Sequence, residues 1–190
     1  NLLETQGPAD FALNGRGFFG IRGADGNTYY TRNGNFVFAI GPEGITLETT
    51  DGLPVLNSEG EPIILEDDDI VTSKITVGRN DGMLYYPDDK GVPQSLDIQI
   101  GLWQINNPAG LSKEGDSLFS ETSASGEAMN EAENDNLPKT KMIQGYLEGS
   151  NVQIADEMVN LIVAQRAYEM NSKVITTSDE MLQQANQLKR

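Results

Sequence analysis

Three glycines near the N-terminus have the spacing of a phosphate-binding turn. Gly15-Arg16-Gly17-Phe18-Phe19-Gly20 matches the letters G-x-G-x-x-G. That fingerprint holds a pyrophosphate on the first amides of a helix, so it needs a helix to start at the turn. Here the turn leads instead into Phe18, Phe19 and Ile21, which are strand residues, and Asp25-Gly26 ends them. Without a helix the motif has no anion site to offer. The segment reads as a tight hairpin turn, and no cofactor is expected.

Carboxylates are the other candidate chemistry. The 190 residues hold 29 Asp and Glu against 13 Lys and Arg, a formal net charge of −16. Glu66-Asp67-Asp68-Asp69 and Asp88-Asp89 are the clusters. Neither has the alternating spacing and terminal Glu of a calcium-binding EF-hand loop. Both read first as solvated loops, with weak calcium binding as the functional alternative. A carboxylate pair for glycoside hydrolysis needs two acids converging in a cleft, and the sequence points to no such pair. The chain has no His and no Cys, which removes Ser-His-Asp and Cys-His nucleophiles. A zinc site would rest on carboxylates alone, an uncommon arrangement. The acidity opposes binding to nucleic-acid phosphates and to anionic lipid. No run approaches the ~18–20 apolar residues of a membrane span, and NLLETQGPAD shows no secretory signal. Neither nucleic-acid binding nor membrane insertion is expected.

Short strands must position these residues. Tyr29-Tyr30-Thr31, Phe36-Val37-Phe38 and Ile45-Thr46-Leu47 are strand material separated by turn formers such as Asn33-Gly34 and Gly41-Pro42-Glu43-Gly44. Asp51-Gly52, Ser58-Glu59-Gly60, Asn80-Asp81-Gly82 and Asp88-Asp89-Lys90-Gly91 punctuate further strands at 53–56, 62–65, 73–77 and 83–86. Residues 95–105 alternate as one strand, with Leu96, Ile98, Ile100 and Leu102 on one face. Trp103, the only tryptophan, is expected to pack in the core. Residues 1–120 therefore read as a β-rich body. Residues 121–144 are polar and acidic, a connection with a possible last strand near Met142–Tyr146.

Residues 145–190 read as a turn and a long assembly helix. No Gly or Pro interrupts 150–188, and Ser150 with Gln153 forms a capping-box pattern. Ile154, Leu161, Tyr168, Ile175 and Leu182 recur every seven residues, with Ala167, Val174, Met181 and Leu188 in a second row. A sustained seven-residue period stays in register on a supercoiled helix with a partner. The fold class expected is α+β: a mainly-β central domain of short antiparallel strands, then one long C-terminal α-helix.

Several short segments, taken together and in order, resemble the bacterial flagellar rod and hook family. They are Asn14-Gly15-x-Gly17-Phe18-Phe19, Tyr30-Thr31-Arg32-Asn33-Gly34-x-Phe36, Asp51-Gly52-x-Pro54-Val55, Asn107-Pro108-Ala109-Gly110-Leu111 and Glu121-Thr122-x-Ala124-Ser125-Gly126. GYLEGSNV, which opens with Gly145-Tyr146, and QRAYEMNSK, which contains Arg166, complete the set. The resemblance implies a structural protein, not an enzyme. It implies export through the flagellar type III apparatus and helical polymerisation into a torque-bearing tube of the basal body. The partners implied are further copies of the chain and other rod and hook subunits. It also implies an N-terminal helix before residue 1, so a fragment of a longer protein is expected. Two readings from other classes stand beside it: a secreted β-domain that binds carbohydrate or calcium, and a carboxylate-based hydrolase.

Overall fold

The turn-forming residues cut the chain into strands of two to seven residues. A computed structural model describes residues 2–67, 70–149, 163, 165–170 and 173. The first half carries β1 (Leu2–Glu4), β2 (Phe11–Asn14), β3 (Phe18–Arg22), β4 (Thr28–Thr31), β5 (Phe36–Gly41), β6 (Gly44–Thr49), β7 (Ile64–Leu65), β8 (Thr76–Val77) and β9 (Met83–Pro87). Then come β10 (Pro93–Gln99), β11 (Leu102–Gln104), β12 (Ser112–Gly115), β13 (Leu118–Ser120), β14 (Met129–Asn130), β15 (Lys141–Gln144) and β16 (Tyr146–Glu148).

The strands form a six-stranded sheet in the order β12-β13-β4-β3-β11-β14, two three-stranded sheets, β5-β6-β7 and β10-β9-β8, and two pairs, β15-β2 and β1-β16. All of these pairings are antiparallel. β3 is covered on both faces. Phe19 and Ile21 point into the main core with Phe11, Leu47, Val55, Ile63, Leu84, Ile100 and Met142. Phe18 points the other way, into a smaller cluster with Tyr30, Leu56, Trp103 and Ile105. The period of two along a strand requires this division.

The structure corrects the expected fold class. The described fold is mainly β, and no long C-terminal helix is shown. Among the described residues α-helix is limited to positions 163, 165–170 and 173, and every one of these is exposed. A heptad pattern reports which residues could share a face. It does not supply the surface that would bury them, and short helices are marginal in water without one. The cap pair Ser150 and Gln153 lies outside the described residues. The chain divides into two compact units, residues 1–149 and 150–190.

Three local expectations also change. The alternating run 95–105 is two strands in different sheets. The register slips between Ser95 and Gln99, and Asp97 takes a φ of 56° there. The bulge lies within β10, whose pairing resumes at Gln99, and the chain then enters another sheet as β11. The segment after Gly15 is not a hairpin: β2 pairs with β15, whereas β3 pairs with β4 and β11. The strand expected near Met142–Tyr146 is broken at Gly145, whose φ of 77° turns β15 into β16.

Candidate assembly surface

The motif residues that looked like sequence labels are hydrogen-bonding partners. Arg32 is the hub. Its Nη1 donates to the carbonyls of Gly15 and Gly17, each at 3.0 Å, and its Nη2 donates to that of Leu13 at 3.4 Å. Its Nε donates to Glu148 Oε2 at 3.0 Å. The guanidinium also lies 5.8 Å from the centre of the Phe18 ring, within cation–π range. One side chain thus ties the β2–β3 turn to β16. A planar fork with five donors is suited to this task, and an ammonium is not.

The glycines of the G-x-G segment have a steric role. A Cβ on Gly15 would sit 2.6 Å from Thr140 Oγ1, and one on Gly17 2.8 Å from both that atom and Glu131 Oε1. The turn passes directly against the strand region before β15. Gly17 N–H donates to Thr140 Oγ1 at 2.9 Å. Thr140 Oγ1 donates in turn to Glu131 Oε1 at 2.6 Å, and Thr140 N–H donates to Glu131 Oε2 at 2.8 Å. Gln104 Nε2 donates to Glu131 Oε1 at 2.8 Å. Glu131 is 4% exposed, and these donors replace the water it gave up. A cleft of about 210 Å³ beside it is lined by Asp81, Leu102, Lys139 and Thr140 among others. The Glu131 carboxylate is already engaged with its own neighbours. Among the described residues, no group of three or more acidic side chains could hold a metal ion.

Two further motif segments hold each other. Asn107 Nδ2 donates to the Ala124 carbonyl at 3.0 Å, and Thr122 Oγ1 donates to that of Gly110 at 2.5 Å. Tyr30 Oη donates to Glu121 Oε1 at 2.7 Å. Burial, then this acceptor, raises the Tyr30 phenol well above its ordinary value, so it stays a donor. Gln144 bridges three segments: its Nε2 donates to the carbonyls of Pro8 and Ile75, and its Oε1 accepts from Val77 N–H. Glu131 and Gln144 were not singled out by the sequence. Nothing in one sequence separates Glu131 from Glu127 or Glu133 in the same acidic stretch.

The β1–β16 ribbon is the outer part of this region. Leu2 pairs with Glu148, Leu3 with Leu147 and Glu4 with Tyr146. The two ends of unit 1–149 therefore run side by side, with the Gly145 amide donating to the Asp10 carbonyl at 2.8 Å. Of the expected assembly residues, Ala167 and Tyr168 are helical and exposed, as is Arg166. Ile154, Leu161, Val174, Ile175, Met181, Leu182 and Leu188 lie outside the described residues.

Arg32→Gln is expected to destabilise the protein by about 2 kcal/mol, mostly through the lost carbonyl bonds. The ion pair itself contributes little, because its side chains are 30% and 42% exposed. At this size the melting temperature should fall by roughly 4–8 °C. Arg32→Lys should recover only part of the loss. A melting temperature unchanged by Arg32→Gln would contradict the hub.

The two ends joined by Arg32 are also the two parts that comparison with known proteins singles out. Residues 12–86 match the flagellar hook protein FlgE/F/G D1 domain. Residues 143–188 match the C-terminal domain of the flagellar basal body rod FlgEFG proteins. Over nearly its whole length the chain is 40% identical to the flagellar basal-body rod protein FlgG of Buchnera aphidicola subsp. Baizongia pistaciae, covering 99% of this chain and 68% of that protein. It is 42% identical to FlgG of Borreliella burgdorferi, covering 100% of this chain and 68% of the relative. The chain belongs to the flagellar basal-body rod protein family.

Family membership gives the motif network its meaning. The FlgG of Bacillus subtilis is 40% identical over 95% of this chain, and the resemblance is to the FlgG type of rod protein. The flagellar hook-basal body complex protein FlhP of the same organism is 37% identical over 83% of this chain. The Arg32 hub spans the D1-type stretch, which holds β2 to β4, and the C-terminal rod stretch, which holds β16. Residues 87–142, between the two matches, supply β11 to β14 to the six-stranded sheet. No helix among the described residues is long and apolar enough to cross a membrane.

Proposed function

We propose that this chain works as a structural axial subunit of the flagellar basal-body rod, polymerising helically and transmitting torque through subunit contacts. The single observation that carries this reading is identity of about 40% to rod proteins along the whole chain. The β-body suits the role physically. Among the described residues every buried side-chain polar atom has a hydrogen-bond partner, and fully satisfied networks rigidify a core. A tube of repeated subunits needs heterologous, non-closing contacts. The partners are further copies of the chain and the neighbouring rod and hook subunits. The apolar heptad positions of the C-terminal segment contribute to those contacts. The subunit works outside the cytoplasm in the basal body, reached by the flagellar type III route, and has no catalytic role.

The test is replacement. The segment of the Bacillus subtilis rod protein that aligns with this chain is exchanged for it, and basal bodies are purified. The expected result is incorporation of the chimera and restored hook growth and swimming. A chimera that is exported and folded but absent from basal bodies would overturn the reading.

A further inference from the structure

Among the described residues, the β5 strand leaves a long sheet edge open. β5 is the outer strand of the β5-β6-β7 sheet. Its six residues, FVFAIG, carry no charge and no proline. Gly41 and Gly44 close the hairpin, and register then alternates through Ala39 opposite Thr46 and Val37 opposite Glu48. That alternation turns the N–H and C=O of Phe36, Phe38 and Ile40 away from β6. Phe36 N–H finds the Ala9 carbonyl at 3.2 Å. Among the described residues, Phe38 and Ile40 have no backbone partner on that side. Ile40 is 85% exposed and Val37 42%.

The other outer strands of the three- and six-stranded sheets are protected in the usual ways. β10 has Pro93, a bulge and Asp97. β12 has Lys113 and Glu114, and β7, β8 and β14 are two residues each. A chain with a net charge of −16 repels its own copies within a Debye length of ~8 Å at physiological salt. Close approach between copies is therefore least opposed where the surface is uncharged. β1 also presents exposed apolar side chains, Leu2 at 47% and Leu3 at 58%, with Glu4 at its end as its single charge.

We propose that β1 of one subunit adds to the free β5 edge of a second copy, extending the β5-β6-β7 sheet across the subunit boundary. The inference rests on the self-assembly reading above and names its surface. Main-chain bonds from Phe38 and Ile40 hold the added strand. Two different patches on one chain give a head-to-tail contact that propagates. Pairing of β5 with itself would close a dimer and stop.

The chain has no cysteine, so introduced thiols report cleanly. The full chain carrying Leu3→Cys and Ile40→Cys is treated with a short bis-maleimide and resolved by size, alongside sedimentation of the unaltered chain over a concentration series. The double variant is expected to give a ladder of oligomers, and each single variant none. Adding Val37→Lys should cut the ladder at least about tenfold. Independently of any variant, exchange of the Phe38 and Ile40 amides should slow as concentration rises. Dimers from Ile40→Cys alone would overturn the head-to-tail pairing. Self-association without a ladder and without amide protection would overturn the edge contact and leave the rod reading standing. A chain that is monomeric throughout and yields no ladder would overturn both.

Discussion

Gly34→Ala is expected to destabilise the protein by about 3–5 kcal/mol, among the larger effects a single methyl can have. A Cβ at this position would sit 1.8 Å from the Phe11 carbonyl oxygen and 2.8 Å from its carbon. The obstacle is backbone, so no rotamer change can relieve it. The crossing is held by Phe11 N–H donating to the Gly34 carbonyl at 2.9 Å. Separating the two segments loosens β2 from the start of β5 and opens the core at Phe11 and Phe36, whose rings lie 6.3 Å apart. Gly26→Ala is the control. Gly26 has a φ of 84°, and a methyl there would meet nothing within 4 Å. Its cost is left-handed strain alone, roughly 1–2 kcal/mol. Thermal melts of both variants decide the matter. Equal losses would mean that the crossing at Gly34 is not as tight as described.

Trp103→Ala is the second large effect, with an expected loss of about 3–5 kcal/mol. Trp103 is 8% exposed, and its indole lies over two backbone stretches that lack side chains. A Cβ on Gly20 would sit 2.3 Å from the ring, and one on Gly101 2.4 Å. Tyr30 tilts against it with ring centres 6.1 Å apart. The tryptophan and these glycines therefore form one packing unit. Gly20→Ala should destabilise the native chain by about 2 kcal/mol through overpacking. It should cost close to nothing once Trp103 is already alanine. A double-mutant cycle by denaturant unfolding measures this coupling, which should be about 2 kcal/mol. Additive losses would show that the indole does not occupy the space above Gly20. As the only tryptophan, Trp103 also reports unfolding by its own fluorescence.

Strand existence was largely legible in the sequence, because it follows from local chemistry. β3 to β6 form where aromatic and β-branched residues stand between turn formers. Core membership of Trp103 and Ile100 followed from the same patterns. Strand partners were not legible. The run 95–105 alternates without a fault in its letters, yet Asp97 breaks it, since alternation says nothing about which sheet a residue joins. The acidic stretch 121–144 looked like a solvated connection. It holds Ser125, Glu131 and Thr140, all buried. A carboxylate is buried when donors from distant segments converge on it, and that convergence has no local signature.

The same division applies to function. The sequence by itself determined the family, the exclusion of His- and Cys-based catalysis and the acidic surface, because each is a matter of residue identity and order. It also showed that Gly15, Gly17 and Arg32 belonged to one set of motifs. Only the tertiary structure decided what they do. The glycines give room to Thr140 and Glu131, and the guanidinium reaches Glu148, 116 residues away along the chain. The long helix suggested by the heptads shows the limit from the other side. Periodicity fixes which side chains share a face, but the surface that would bury that face is a tertiary or quaternary property. The open edge of β5 likewise exists only once register has assigned which amides face inward and which face out.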